Sequence, residues 1–133
     1  MGTPVVDNRP PVLLDSSFLI ALERETRMRR EGPAFAMLPR LAGRKLCVSI
    51  VTVAEFLEGA RDRDEAARAL ARFTVQPLAW AQARRCAVIQ ARAERRLGEN
   101  DAWIVATAEI LGAEVVARDR GAFARLGERY LRF

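Results

Sequence analysis

The chain has 133 residues, half of them apolar, which fits a single domain whose core needs no disulfide. Its formal charge is +5 and only one of its 22 basic residues, Lys45, is lysine, so the positive charge is almost all guanidinium, whose paired donors match phosphate oxygens. There is no histidine, which removes the commonest general base, most Ser–His and Cys–His pairs and the usual zinc ligands, and leaves carboxylates to carry any catalysis.

Met1–Pro11, with three prolines and little pattern, reads as a flexible lead-in. It lacks the basic-then-apolar pattern of a signal peptide, and no uncharged stretch approaches the ~20 residues needed to cross a bilayer, so a cytoplasmic protein without a membrane partner is expected. Val12-Leu13-Leu14 reads as a buried strand, and Asp15-Ser16-Ser17 as the cap of a helix beginning at Phe18. Gly32-Pro33 breaks that helix, and a further helical piece runs to about Leu41. Leu46–Ile50 is the second strand. Thr52 opens a helix to Gly59, and Asp62–Phe73 continues as an amphipathic helix. Val75–Leu78 is a short third strand. A long helix rich in alanine and arginine is expected from Trp80 to about Leu97, ended by Gly98, and another from Asn100 to Leu111, closed by Gly112. Glu114–Ala117 is the fourth strand and Tyr130–Phe133 a candidate fifth. Strands alternating with helices predict an α/β fold, a three-layer α/β/α domain around a parallel sheet of four to five strands. Cys47 and Cys86 sit among apolar neighbours and read as buried free thiols.

Four acids stand out because each interrupts an apolar run. Asp15 is the only charge between Pro10 and Leu22, and Glu55 the only one between Leu46 and Leu57. Asp101 is followed by no charge before Glu109, and Asp119 follows the fourth strand closely. A carboxylate in such a setting is costly unless it is paired, hydrogen-bonded or bound to a cation. Singly, each has a plainer explanation: Asp15 and Asp101 as helix caps, Asp119 as the start of a turn, Glu55 as a partner for an arginine. Together they share one. In parallel sheets the ligand crevice lies at the carboxyl ends of the strands, where helix amino termini also face, and these acids are expected there. Clustered carboxylates repel, and a hard cation, Mg²⁺ or Mn²⁺, resolves the conflict. The chemistry such a cation would supply is activation of a water for attack on a phosphodiester.

The same segments resemble the PIN-domain family. Leu13–Ile20 resembles its opening strand and first acid, Ser49–Gly59 its second motif, Asn100–Ala108 its third, and Gly112–Asp119 with Phe123 its closing segment. The likeness spans Val12–Phe133, so a PIN domain over residues 12–133 is expected, and within the family it is nearest to VapC toxins. The resemblance implies a Mg²⁺-dependent endoribonuclease, with Mn²⁺ as the second candidate, acting on tRNA, rRNA or mRNA. It also implies a homodimer, and a VapB-type antitoxin that inserts into the acidic cleft. Asp15, Glu55, Asp101 and Asp119 become the catalytic and metal-binding quartet, with Asp15 and Asp101 as the direct ligands and Ser16 as the supporting hydroxyl. Two positions depart from the family pattern: Ala117 stands where many relatives have threonine, and Ala122 where an acid or asparagine is common.

Other acid-clustering folds fit less well. A receiver domain wants a lysine after its last strand, and Lys45 precedes the second; a haloacid-dehalogenase-type phosphatase wants an aspartate where Ser17 stands. The alternative that remains is a catalytically silent PIN-like module that binds RNA or protein. Arg84, Arg85, Arg92, Arg95 and Arg96 recur on the long helix, where Arg92 and Arg96 are candidates for RNA binding and a solvated face is the alternative.

Overall fold

The structure is a computed structural model that describes residues 7–133; the first six residues of the expected lead-in lie outside the described residues. In chain order it comprises β1 (Val12–Leu14), α1 (Ser16–Arg27), α2 (Pro33–Leu41), β2 (Leu46–Ser49), α3 (Ile50–Glu58), α4 (Arg63–Leu70) and β3 (Thr74–Gln76). These are followed by α5 (Trp80–Arg92), α6 (Glu99–Leu111), β4 (Glu114–Ala117), α7 (Arg120–Phe123), a 3₁₀ turn (Ala124–Arg129) and β5 (Tyr130–Arg132).

All strand pairings are parallel, and the five strands lie in the order β3-β2-β1-β4-β5. Parallel neighbours put every strand's carboxyl end on one edge. The alternation of side chains along each strand then divides the core in two. Leu13, Cys47 and Val115 face one way and pack with Ile89, Ile104 and Phe123 from α5, α6 and α7. Val12, Leu14, Val48 and Val116 face the other way and pack with Phe18, Met37 and Leu70 from α1, α2 and α4. This is the expected α/β/α sandwich with five strands. Phe18 is fully buried and meets Phe133 edge to face at 5.2 Å; burying a side chain of that size stabilises by ~1.5–3 kcal/mol. Cys47 and Cys86 are buried free thiols.

Local chemistry sets the element ends. Asp15, Ser49 and Asp62 cap α1, α3 and α4 by accepting a backbone N–H two or three residues on. Gly112, at φ 63°, ends α6 in the left-handed conformation that glycine adopts without strain. α2 has no such cap of its own; the Glu25 carboxylate on α1 accepts from the backbone N–H groups of Gly32, Ala34 and Phe35 instead. Those three bonds hold its pKa below the usual value, against the opposing effect of desolvation, with the charge of Arg118 adding to them.

Element boundaries differ from the sequence expectation at several points, β3 and α4 among them, and two of the differences have a visible cause. α3 begins at Ile50 because Ser49, not Thr52, is its cap. α5 stops at Arg92, several residues short of Leu97. Both halves of the Gln90 amide bind the Leu97 backbone, at 3.0 Å each, and this folds residues 93–98 back across the helix end.

The opposite edge of the sheet, at the amino ends of the strands, carries its own polar cluster. Arg44, whose side chain is only 5% exposed, forms an ion pair with Glu114 and donates to the Pro10 carbonyl. Arg9 pairs with Asp7 and donates to the Ala42 carbonyl, and Glu114 N–H donates to the Pro11 carbonyl. The chain from Asp7 to Pro11 is therefore bound along the base of the sheet.

Candidate active site

The four acids arrive at the carboxyl edge from four different elements. Asp15 directly follows β1 and is 6% exposed. Its backbone N–H continues the sheet ladder to the Val116 carbonyl at 3.0 Å. Its Oδ2 accepts from the Ser17 backbone N–H at 3.1 Å and from the Ser17 hydroxyl at 2.6 Å. Asp119 follows β4, the strand beside β1, and caps the short α7 by accepting from Gly121 N–H at 2.8 Å. Glu55 is half-buried in α3, and the Ser16 hydroxyl donates to its Oε1 at 3.3 Å. Asp101 lies in the first turn of α6, whose cap is Gly98. It is thus not the cap that its sequence position allowed.

The charges of the other three acids all act on Asp101. Burial, and after it the charges of Asp15, Asp119 and Glu55, together raise the Asp101 carboxyl to about 6. Desolvation and mutual repulsion thus act together, and every other member of the quartet contributes. The field reaches the neighbouring strand. Burial raises the Tyr130 hydroxyl, and Asp119 and Asp15 add to that while Arg132 and Arg120 oppose it.

The donor set is all oxygen and carries excess negative charge, which suits a hard divalent cation. Among the described residues no three acids stand close enough to form a ready-made ligand cage. Magnesium keeps several waters and commonly takes only one or two carboxylates directly, so the chemistry of the donors fits such an ion.

Ser17 was not singled out in the sequence, although Asp-Ser-Ser ahead of a helix is a capping pattern. Besides binding Asp15, its hydroxyl accepts from Arg118 N–H at 3.2 Å. Arg118 in turn holds its guanidinium 4.7 Å over the Phe133 ring, and its carbonyl accepts from the Tyr130 hydroxyl at 3.1 Å. Arg92 is the last residue of α5, and Arg96 lies beyond it in the folded-back segment. They do not share a helical face. Both are exposed, and neither pairs with the acids among the described residues.

Two other surfaces flank this edge. A cavity of about 710 Å³ opens between α1, α3 and α4, lined by Leu19, Leu22, Phe56, Leu70 and Phe73 with charged residues at its rim. Its lining begins one turn from Ser16 and next in sequence to Glu55. At the β3 edge, Val75, Leu78 and Trp80 are exposed, Trp80 by 83%.

The family model described as PIN domain matches residues 12–129. No curated protein matches the chain. Several solved structures share its fold. A toxin–antitoxin complex from Klebsiella pneumoniae is 23% identical, with 90% of this chain and 98% of that chain covered and a TM-score of 0.69. VapBC2 from Rickettsia felis, bound to a DNA fragment from its promoter, is 15% identical, with 92% and 96% covered and a TM-score of 0.71. VapC20 from Mycobacterium tuberculosis, a toxin that cleaves the sarcin–ricin loop, is 20% identical, with 87% and 95% covered and a TM-score of 0.65.

Proposed function

The chain belongs to the PIN-domain family of nucleases, and from that membership we propose that it is a metal-dependent endoribonuclease and the toxin of a toxin–antitoxin pair. The observation that carries the reading is the field at Asp101, where burial and three further acids converge on one carboxyl. A cluster of that kind stores repulsion that a divalent cation relieves. Asp15 and Asp101 are assigned as direct ligands of Mg²⁺ or Mn²⁺, with Glu55 and Asp119 completing the charge around it. The chemistry such an ion supplies when bound is activation of water and neutralisation of charge growing on a phosphate.

The chain's own residues prepare the site. Ser16 fixes the Glu55 carboxylate by hydrogen bond, and capping bonds fix Asp15 and Asp119. The cleft lies at one edge of a rigid sheet, so its acids need little reorganisation when an RNA backbone arrives. Arg92 and Arg96 are assigned to phosphate contacts along the approach, consistent with a chain whose net charge is +5.

The partners follow from the two flanking surfaces. The groove between α1, α3 and α4 has the apolar floor and charged rim that accept an amphipathic segment. An antitoxin seated there reaches the acidic cleft with its next residues. The exposed strip of Val75, Leu78 and Trp80 suits a second copy of the chain, giving a homodimer. Among the described residues no helix is long and apolar enough to cross a membrane, and a cytoplasmic site of action agrees with an RNA substrate.

The test is cleavage of total cellular RNA by the purified chain with Mg²⁺ or Mn²⁺, with EDTA, and with Asp15→Asn in parallel. Discrete fragments that vanish in both controls are expected. RNA binding that persists in EDTA without any cleavage by the wild type would instead identify a silent binding module.

A further inference from the structure

Two serines follow Asp15, and they do different work. Ser16 turns to Glu55, whereas Ser17 turns back to Asp15. Capping α1 requires only the bond from the Ser17 backbone N–H. The hydroxyl adds a second, shorter bond of 2.6 Å to the same oxygen, Oδ2, a length typical of a hydroxyl donating to a charged carboxylate. A hydroxyl also has lone pairs to offer. Here one of them accepts the Arg118 N–H, from a residue 101 positions further along the chain. One side chain thus spans the end of β1 and the end of β4, between the first acid and the fourth.

The acceptor side of this link is itself held. The Tyr130 hydroxyl donates to the Arg118 carbonyl, and the Arg118 guanidinium rests on Phe133. The Arg118 N–H therefore has a defined position, which orients the Ser17 hydroxyl and directs its proton at Asp15. With Oδ2 committed to two Ser17 donors, the remaining oxygen of Asp15 is Oδ1. It takes no hydrogen bond from any described residue.

We propose that Ser17 is a positioning residue of the cleft, whose hydroxyl locks Asp15 so that Oδ1 alone is presented to a bound divalent cation. The assignment rests on the nuclease reading and says how its first acid is aimed. It separates the roles of the adjacent hydroxyls: Ser16 positions the second acid, Ser17 the first. Without the Ser17 hydroxyl the carboxylate keeps one backbone bond and gains freedom to rotate, so a cation meets a less organised ligand. Partners that orient metal ligands in this way are typically worth 10–100-fold in metal affinity.

The experiment is calorimetric titration of the purified chain with Mn²⁺, comparing wild type, Ser17→Ala, Ser17→Thr, Ser17→Val and Asp15→Asn, each below its melting temperature in EDTA. Ser17→Ala should bind Mn²⁺ at least ~10-fold more weakly than wild type, with Ser17→Thr recovering most of the loss. Thr and Val differ there by the hydroxyl and not by shape, so that pair decides the matter even if Ser17→Ala folds poorly. Equal affinities for Ser17→Thr and Ser17→Val overturn the assignment while leaving the nuclease reading intact. A wild-type chain that takes up no Mn²⁺ overturns the nuclease reading, and the Ser17 assignment with it.

Discussion

Ser16 and Glu55, 39 residues apart, are joined by a hydrogen bond from the serine hydroxyl to Oε1 at 3.3 Å, and this bond fastens α1 to α3 beside the acidic cleft. It is part-buried, so the carboxylate it orients is neither free in water nor sealed from it.

Removing that hydroxyl leaves Glu55 without its side-chain partner. Ser16→Ala should cost about 1 kcal/mol of stability, the usual net worth of one such bond. RNA cleavage should fall by roughly tenfold, in line with the loss of a group that orients a metal-site carboxylate. Denaturant unfolding and initial cleavage rates at fixed Mn²⁺ check both. Unchanged cleavage would show that Glu55 is oriented by other means.

Asp101 makes the cation-free protein sensitive to pH. Its carboxyl is raised from 3.8 to about 6 in the folded chain, so the folded state holds that proton more tightly than the unfolded state. Its contribution to stability is therefore complete below pH ~4 and is lost as pH rises through ~6. Asp101→Asn removes this dependence. The cation-free variant should melt at or above the wild-type temperature at pH 7, and the difference should shrink towards pH 4. A large loss of stability at neutral pH would mean that Asp101 chiefly supports the first turn of α6.

Adding Mg²⁺ or Mn²⁺ at pH 7 should raise the wild-type melting temperature, by ~2.7 kcal/mol of added stability at a hundredfold excess over the dissociation constant. Asp101→Asn should gain much less. Equal gains in the two proteins would place the cation elsewhere.

On the far edge of the sheet, Glu114 neutralises the buried Arg44. Glu114→Ala strands that guanidinium and should destabilise the fold by ~3 kcal/mol, at the low end for breaking a buried pair because Glu114 keeps some exposure. Residual RNA cleavage by the folded fraction should be unaffected. Chemical denaturation gives the first number and activity per folded molecule the second.

Arg92→Ala combined with Arg96→Ala tests the proposed RNA path. If both touch phosphates, the plot of log affinity against log salt should flatten by roughly 1 to 1.5, the worth of two contacts on a single strand. An unchanged slope would return them to a solvated surface.

Much of the architecture is legible in the residues because local signals agree with the packing. Glu114–Ala117, apolar after its first residue, follows the left-handed Gly112, and it forms β4 with those bounds. The order of the strands is not legible, since β1 pairs with β4 as well as β2, and only tertiary packing decides this. The long helix from Trp80 is overread because alanine and arginine favour helix through Leu97; what ends it is the Gln90 amide, a side-chain contact invisible to periodicity. At the cleft, isolation within apolar runs picks out the four acids. Ser17 escapes notice because half of its role depends on Arg118, a backbone group from the other end of the chain.

That pairing of β1 with β4 also orders events in time. The hairpin of α1 and α2 needs only the short reach from Glu25 to Phe35 and can form early. The cleft needs residue 15 to meet residues 116–119, a loop of about a hundred residues to close, and such long closures come late in folding. A ribosome that has translated only as far as α6 carries Asp15, Glu55 and Asp101 but has no β4 to complete the edge where they meet. The four acids can thus share one edge of the sheet only after these last strands have emerged.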